Sequence, residues 1–98
     1  MSILDVFDAL VAAHLRDFIA LGRMRYSRTP EHELEQRRSL GVQTGVADFE
    51  ILLWSSGDVE FGYGTVDDNH DEHMQVVSEA QLEALIERLT GLAKAWPQ

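Results

Sequence analysis

The sequence predicts an α+β fold, because apolar residues recur at helical spacing near both ends of the chain and at a period of two between them. The expected architecture is one domain over residues 1–98. It has a long N-terminal helix, an irregular segment with a possible short helix, a three-stranded antiparallel β-meander and a C-terminal helix, with both long helices on one face of the sheet.

The first helix is expected over residues 3–21. Ser2 suits the N-cap, Asp5 sits in the first turn, and Gly22 follows the last turn. Leu4, Phe7, Val11, Leu15 and Phe18 form one stripe. His14 falls on that stripe, as a core-edge histidine with one hydrogen bond rather than a catalytic base. Residues 23–45 show no clear period. Thr29-Pro30-Glu31 suits a helix start, so a short surface helix is expected over residues 30–38, followed by a loop punctuated by Gly41 and Gly45. Arg23, Arg25 and Arg28 form a small basic patch that is expected to balance local acids, the alternative being an interface role.

From Val46 onward, Ala47, Phe49, Ile51 and Leu53 alternate with Asp48, Glu50, Leu52 and Trp54. After Ser55-Ser56-Gly57, Val59, Phe61, Tyr63 and Thr65 alternate with Asp58, Glu60, Gly62 and Gly64. Opposed residues in a hairpin share a face, so keeping the apolar sets together requires Leu53 opposite Val59 and Ile51 opposite Phe61. The turn is then Ser55-Ser56-Gly57, with Gly57 left-handed. For the third strand, a loop over residues 67–72 sets Thr65 opposite Met74 and Tyr63 opposite Val76. Ser78 and Gln81 form a capping box for the last helix. Its stripe is Leu82, Leu85, Ile86, Leu89, Leu92, Ala93 and Trp96, with Pro97 beyond it.

The net charge is −9, with 45 % hydrophobic and 26 % charged residues. Residues 1–45 hold six acids and six arginines, which cancel. Residues 46–98 hold eleven acids against Arg88 and Lys94 and carry the whole excess. Such a surface repels nucleic acid and anionic lipid and attracts a basic protein, although charge of this size serves solubility equally well. There is no cysteine, which suits a reducing compartment. Asp5 and Asp8 interrupt the N-terminal apolar stretch, which argues against a signal peptide. The longest strictly apolar run, Ile51-Leu52-Leu53-Trp54, is too short to span a membrane. The expected location is cytoplasmic.

On the outer sheet face, Asp48, Glu50, Asp58 and Glu60 surround Leu52 and Trp54, beside Gly62 and Gly64. A Trp ringed by carboxylates suits a protein interface, and the glycines leave a shallow channel. The alternative is that residues 26–45 fold over this face and cover Trp54 and Leu52. Asp67, Asp68 and Asp71 add to the acidic surface. The run from Asp67 to His73 begins like a calcium loop, but Glu72 replaces the required glycine and Ser78 the terminal glutamate. His70 and His73 are spaced so that a hairpin loop does not aim both at one metal. The chain carries no nucleophile elbow, phosphate loop or zincin signature. Neither metal, cofactor nor catalysis is expected.

Three features occur together: Trp54-Ser55-Ser56-Gly57 leaving a strand, the acidic stretch from Asp67 to His73, and the helix start from Ser78 to Leu82. Across residues 46–95 the chain resembles the TriTu-type immunity proteins, small bacterial cytosolic proteins. That resemblance implies neutralisation of a TreTu-type ADP-ribosyltransferase toxin whose target is elongation factor Tu. It also implies a structural part for the Trp54 hairpin. The second function that suits the sequence is a small acidic secretion chaperone or adaptor, which would be an obligate dimer holding a partly unfolded client.

Overall fold

A computed structural model describes residues 2–96; the expected helix stop at Pro97 lies outside them. The α+β class holds. The elements are α1 (Ile3–Ala13), α2 (Leu15–Leu21), β1 (Arg23–Arg28), β2 (Arg37–Gln43), β3 (Asp48–Trp54), β4 (Asp58–Gly64), β5 (Asn69–Gln75) and α3 (Glu79–Ala95). The five strands form one antiparallel meander in chain order. The helices pack on one face of it through Leu4, Phe7, Leu10, Val11, Phe18, Leu82, Leu85, Ile86 and Leu89. These meet Leu40, Val42, Phe49, Ile51, Leu53, Val59 and Phe61 from the strands. Burying each such side chain contributes about 1.5–3 kcal/mol.

The caps are as the residue types dictate. Ser2 Oγ accepts the Asp5 N–H at 3.1 Å. Ser78 Oγ accepts the Gln81 N–H at 3.2 Å, and Gln81 Oε1 in return accepts the Val77 N–H at 2.6 Å. The expected single helix over residues 3–21 is instead two. At His14 the backbone leaves helical geometry (φ −101°, ψ 10°). This turns Leu15 out to solvent while Phe18 stays buried. The His14 ring is tied across the helical layer, with Nε2 donating to Glu83 Oε1 of α3 at 3.0 Å.

Residues 23–45 depart furthest from expectation. They form the β1–β2 hairpin, with no helix over 30–38, and bring the sheet to five strands. Met24 and Tyr26 pack against the core, and Leu40 and Val42 lie within it. The loop between the strands is organised by Gln36. Its Oε1 accepts the Thr29 hydroxyl at 3.1 Å, and its Nε2 donates to the carbonyls of Pro30 and Glu33 at 2.9 and 3.0 Å. Those bonds hold as a turn what the Pro30-Glu31 pair suggested as a helix start, and Leu34 is left fully exposed.

The β3–β4 hairpin follows parity. Leu53 opposes Val59 and Ile51 opposes Phe61. The Gly57 N–H donates to the Trp54 carbonyl at 2.9 Å, and Gly57 has φ +93°. A Cβ on Gly57 would stand 2.4 Å from the Val76 carbonyl oxygen. The β4–β5 pairing corrects the expected register by six residues: Tyr63 opposes His70, and Met74 opposes Val59. Gly64, at φ +134°, turns the chain immediately after β4, and the Thr65 N–H donates to the Asp68 carbonyl at 3.0 Å. The reversal is thus complete by Asp68, and Asn69–Glu72 become strand instead of loop. Because six is even, Met74 still faces inward.

Candidate functional site

With the helices on one face, the opposite face of the sheet carries no covering element among the described residues. Opposed residues share a face, so the register defines what this outer face presents. One row across the strands reads Arg25, Gly41, Glu50, Gly62, Asp71. The neighbouring rows read Arg23, Gln43, Asp48, Gly64, Asn69 and Ser27, Ser39, Leu52, Glu60, His73. At the far end Arg37 opposes Trp54 and Asp58 opposes Gln75.

Seven of the nine expected site residues are therefore brought together: Asp48, Glu50, Leu52, Trp54, Asp58, Glu60 and Asp71. Asp67 and Asp68 sit in the exposed β4–β5 turn and leave the face. Residues 26–45 do not fold over it. They extend it sideways and meet Trp54 at its edge, where the Ser55 N–H donates to the Gln36 carbonyl at 2.9 Å and Arg37 opposes the ring. Trp54 and Leu52 stay half-buried. The Arg37 guanidinium stands 5.9 Å from the Trp54 ring centre, a cation–π contact that holds the ring at the sheet surface.

The expected glycine channel is partly occupied. The Arg25 guanidinium lies across Gly41, 3.3 Å from where a Cβ would be, and Asp71 Oδ1 lies across Gly62 at 3.0 Å. Both side chains thus lie flat, flanking Glu50. A depression of about 360 Å³ remains, lined by Asp48, Glu50, Gly62, Gly64, Asn69 and Asp71 among others. Gly64 serves the turn rather than the channel, since a Cβ there would stand 2.0 Å from the Asp68 carbonyl oxygen.

Sequence reasoning did not place Arg23, Arg25 and Arg37 on this face. The signal was present in the alternation of Met24 and Tyr26 with Arg23, Arg25 and Ser27, masked by the arginines. Arg23 and Arg25 were expected to balance local acids, yet among the described residues neither makes an ion pair within 4.0 Å. Arg28 lies on the other face of β1, in line with Met24 and Tyr26.

The inner face treats its charges differently. Arg38, only 7 % exposed, donates to both carboxylate oxygens of Asp8, at 2.8 and 3.2 Å, and the Tyr26 hydroxyl donates to the same group. Burial works against the Asp8 charge, but the bonds from Arg38 and Tyr26 outweigh it and hold the carboxyl below the usual carboxylate range. Burial, and after it the Asp8 bond, pushes the Tyr26 hydroxyl well above its ordinary value. On β5, Glu72 receives both Arg88 nitrogens from α3, one at 2.7 Å. It also receives the Tyr63 hydroxyl at 2.9 Å. Arg88, then Tyr63, hold Glu72 at about 2. These carboxylates are committed to structural partners. His70 stacks on Tyr63 on the inner side, with ring centres 5.1 Å apart, while His73 points outward toward Glu60, so the two rings lie on opposite faces of β5.

Among the described residues no group of three or more His, Cys, Asp or Glu is placed to hold a metal ion, and no helix is long and apolar enough to cross a membrane. No protein-family model, curated protein or solved structure matches the chain.

Proposed function

We propose that this protein works by binding another protein, as an immunity protein that neutralises a cognate toxin domain. The observation that carries the reading is the one-sided architecture: all three helices lie on one face, leaving a five-stranded face with Leu52 and Trp54 among acidic residues. An aromatic at the surface within a charged rim is the composition of an interface rather than of a solvated sheet. Asp48, Glu50, Asp58, Glu60 and Asp71 favour a basic partner and disfavour nucleic acid or anionic membrane. The resemblance to the TriTu-type immunity proteins supplies the class of toxin, an ADP-ribosyltransferase. In this reading the protein is no enzyme, needs no cofactor and acts in the cytoplasm.

The test is surface plasmon resonance against the toxin domain encoded beside it, at low and high ionic strength. Nanomolar or tighter binding is expected, with an association rate that falls steeply with salt and a dissociation rate that changes less. Absence of binding to the folded toxin, together with a dimer that holds an unfolded segment of a neighbouring product, would replace this reading with the secretion chaperone or adaptor.

A further inference from the structure

Resting on the binding reading above, we infer that the open sheet face is a two-sign docking surface. Its partner is a folded protein that sets basic groups against β3–β5 and an acidic group against Arg23 and Arg25 of β1. Among the described residues the face is unpartnered, since the helices pack on its reverse. Its charges are sorted by strand. Arg23 and Arg25 stand on β1 and Arg37 on β2, while Asp48, Glu50, Asp58, Glu60 and Asp71 stand on β3, β4 and β5.

The arginines are not spent on local pairing. The two arginines of the helix-covered side that bridge layers, Arg38 and Arg88, each find a carboxylate, whereas Arg23, Arg25 and Arg37 make no ion pair within 4.0 Å among the described residues. Arg25 lies over Gly41, in the same row as Glu50, and makes no ion pair with it within 4.0 Å among the described residues. The two signs grade into one another across the face. β1 and β3 stand two strand spacings of about 4.8 Å apart, roughly 10 Å, comparable with the screening length of about 8 Å at physiological salt, and only the acids of β4 and β5 lie well beyond it. A docked partner therefore meets a positive edge beside a negative field. The net charge of −9 describes its approach, not its contact.

A matched pair of variants decides the matter. Arg23→Glu with Arg25→Glu, and Arg16→Glu with Lys94→Glu, lower the net charge by the same amount. All four residues are exposed, but the second pair lies on the helices. Each is compared with the parent for binding to the adjacent toxin domain by surface plasmon resonance, with circular dichroism melts confirming that both fold. The helix pair is expected to associate as fast as the parent or faster, as added negative charge on the far side would do for a basic partner. The β1 pair is expected to bind at least about fivefold more weakly. Equal or tighter binding by the β1 pair would overturn the two-sign face and leave the immunity reading standing. Failure of the parent itself to bind the toxin would overturn that reading, and the inference with it.

Discussion

Both faces of this sheet carry arginines and carboxylates, and they treat charge in opposite ways. On the inner face Arg38 is held by Asp8, which also accepts the Tyr26 hydroxyl, and Arg88 by Glu72, which also accepts the Tyr63 hydroxyl. On the outer face three arginines and five carboxylates share one surface and, His73 near Glu60 aside, form no ion pair among the described residues. A charge that must be desolvated needs a partner within the chain, while one that stays wet can be left open for another molecule. The difference separates what the chain needs to fold from what it presents.

The largest effect should come from the centre of the inner face. Leu85→Ala or Leu89→Ala is expected to cost about 2–5 kcal/mol, since each leaves a cavity in the core; urea unfolding checks it, and an unchanged midpoint would mean that α3 is not packed as described. Asp8→Ala should follow. Breaking a fully buried pair costs about 3–5 kcal/mol, and because about a quarter of the Asp8 side chain is exposed the expected loss is nearer to 2–3 kcal/mol. A variant as stable as the parent would show that Arg38 finds water when its partner is gone.

Acid titration sharpens the contrast between the faces. Glu72 titrates at about 2 in the folded chain against an ordinary 4.5. Its pKa is depressed by folding, so its stabilisation is complete above about 4.5 and is lost as the pH falls toward 2. Asp8 acts in the same direction. Unfolding midpoints measured from pH 6 to pH 2 should decline through that window, and Glu72→Gln should flatten the decline. An unchanged slope would place the acid sensitivity elsewhere. The smallest effect belongs to the outer face: Asp58→Lys with Glu60→Lys should change stability by no more than about 0.5 kcal/mol per site, while slowing association with a basic partner more than Glu31→Lys with Glu35→Lys does.

How much of this was legible in the sequence follows from where each element's information lies. The β3–β4 hairpin was readable because Phe49, Ile51, Leu53, Val59 and Phe61 alternate without interruption and Gly57 permits one turn. α3 was readable from its leucine spacing and its Ser78 cap. β1 and β2 were not, because their inward residues include Arg28 and Arg38. Arg38 is buried only through Asp8, thirty positions away, and no local pattern reports such a pair. The acidic run at the start of β5 resembled a loop for a related reason. An edge strand carries charge to discourage unwanted pairing, and Glu72 points inward only because Arg88 on α3 meets it. The candidate face was legible where strands were recognised, in Asp48 to Glu60. Its basic edge was hidden with β1.

The proposed division between a folding face and a binding face can be tested with the two tryptophans, one on each side. Trp54 stands on the outer face, and Trp96 packs edge-on against Phe49 and Tyr63 on the inner face, at 5.6 and 6.0 Å. The variants Trp96→Phe and Trp54→Phe each leave a single reporter, to be titrated with the toxin domain and followed by fluorescence. The account predicts a blue shift of Trp54 emission as the partner excludes water from it, with Trp96 emission unchanged. A shift at Trp96 with none at Trp54 would contradict it.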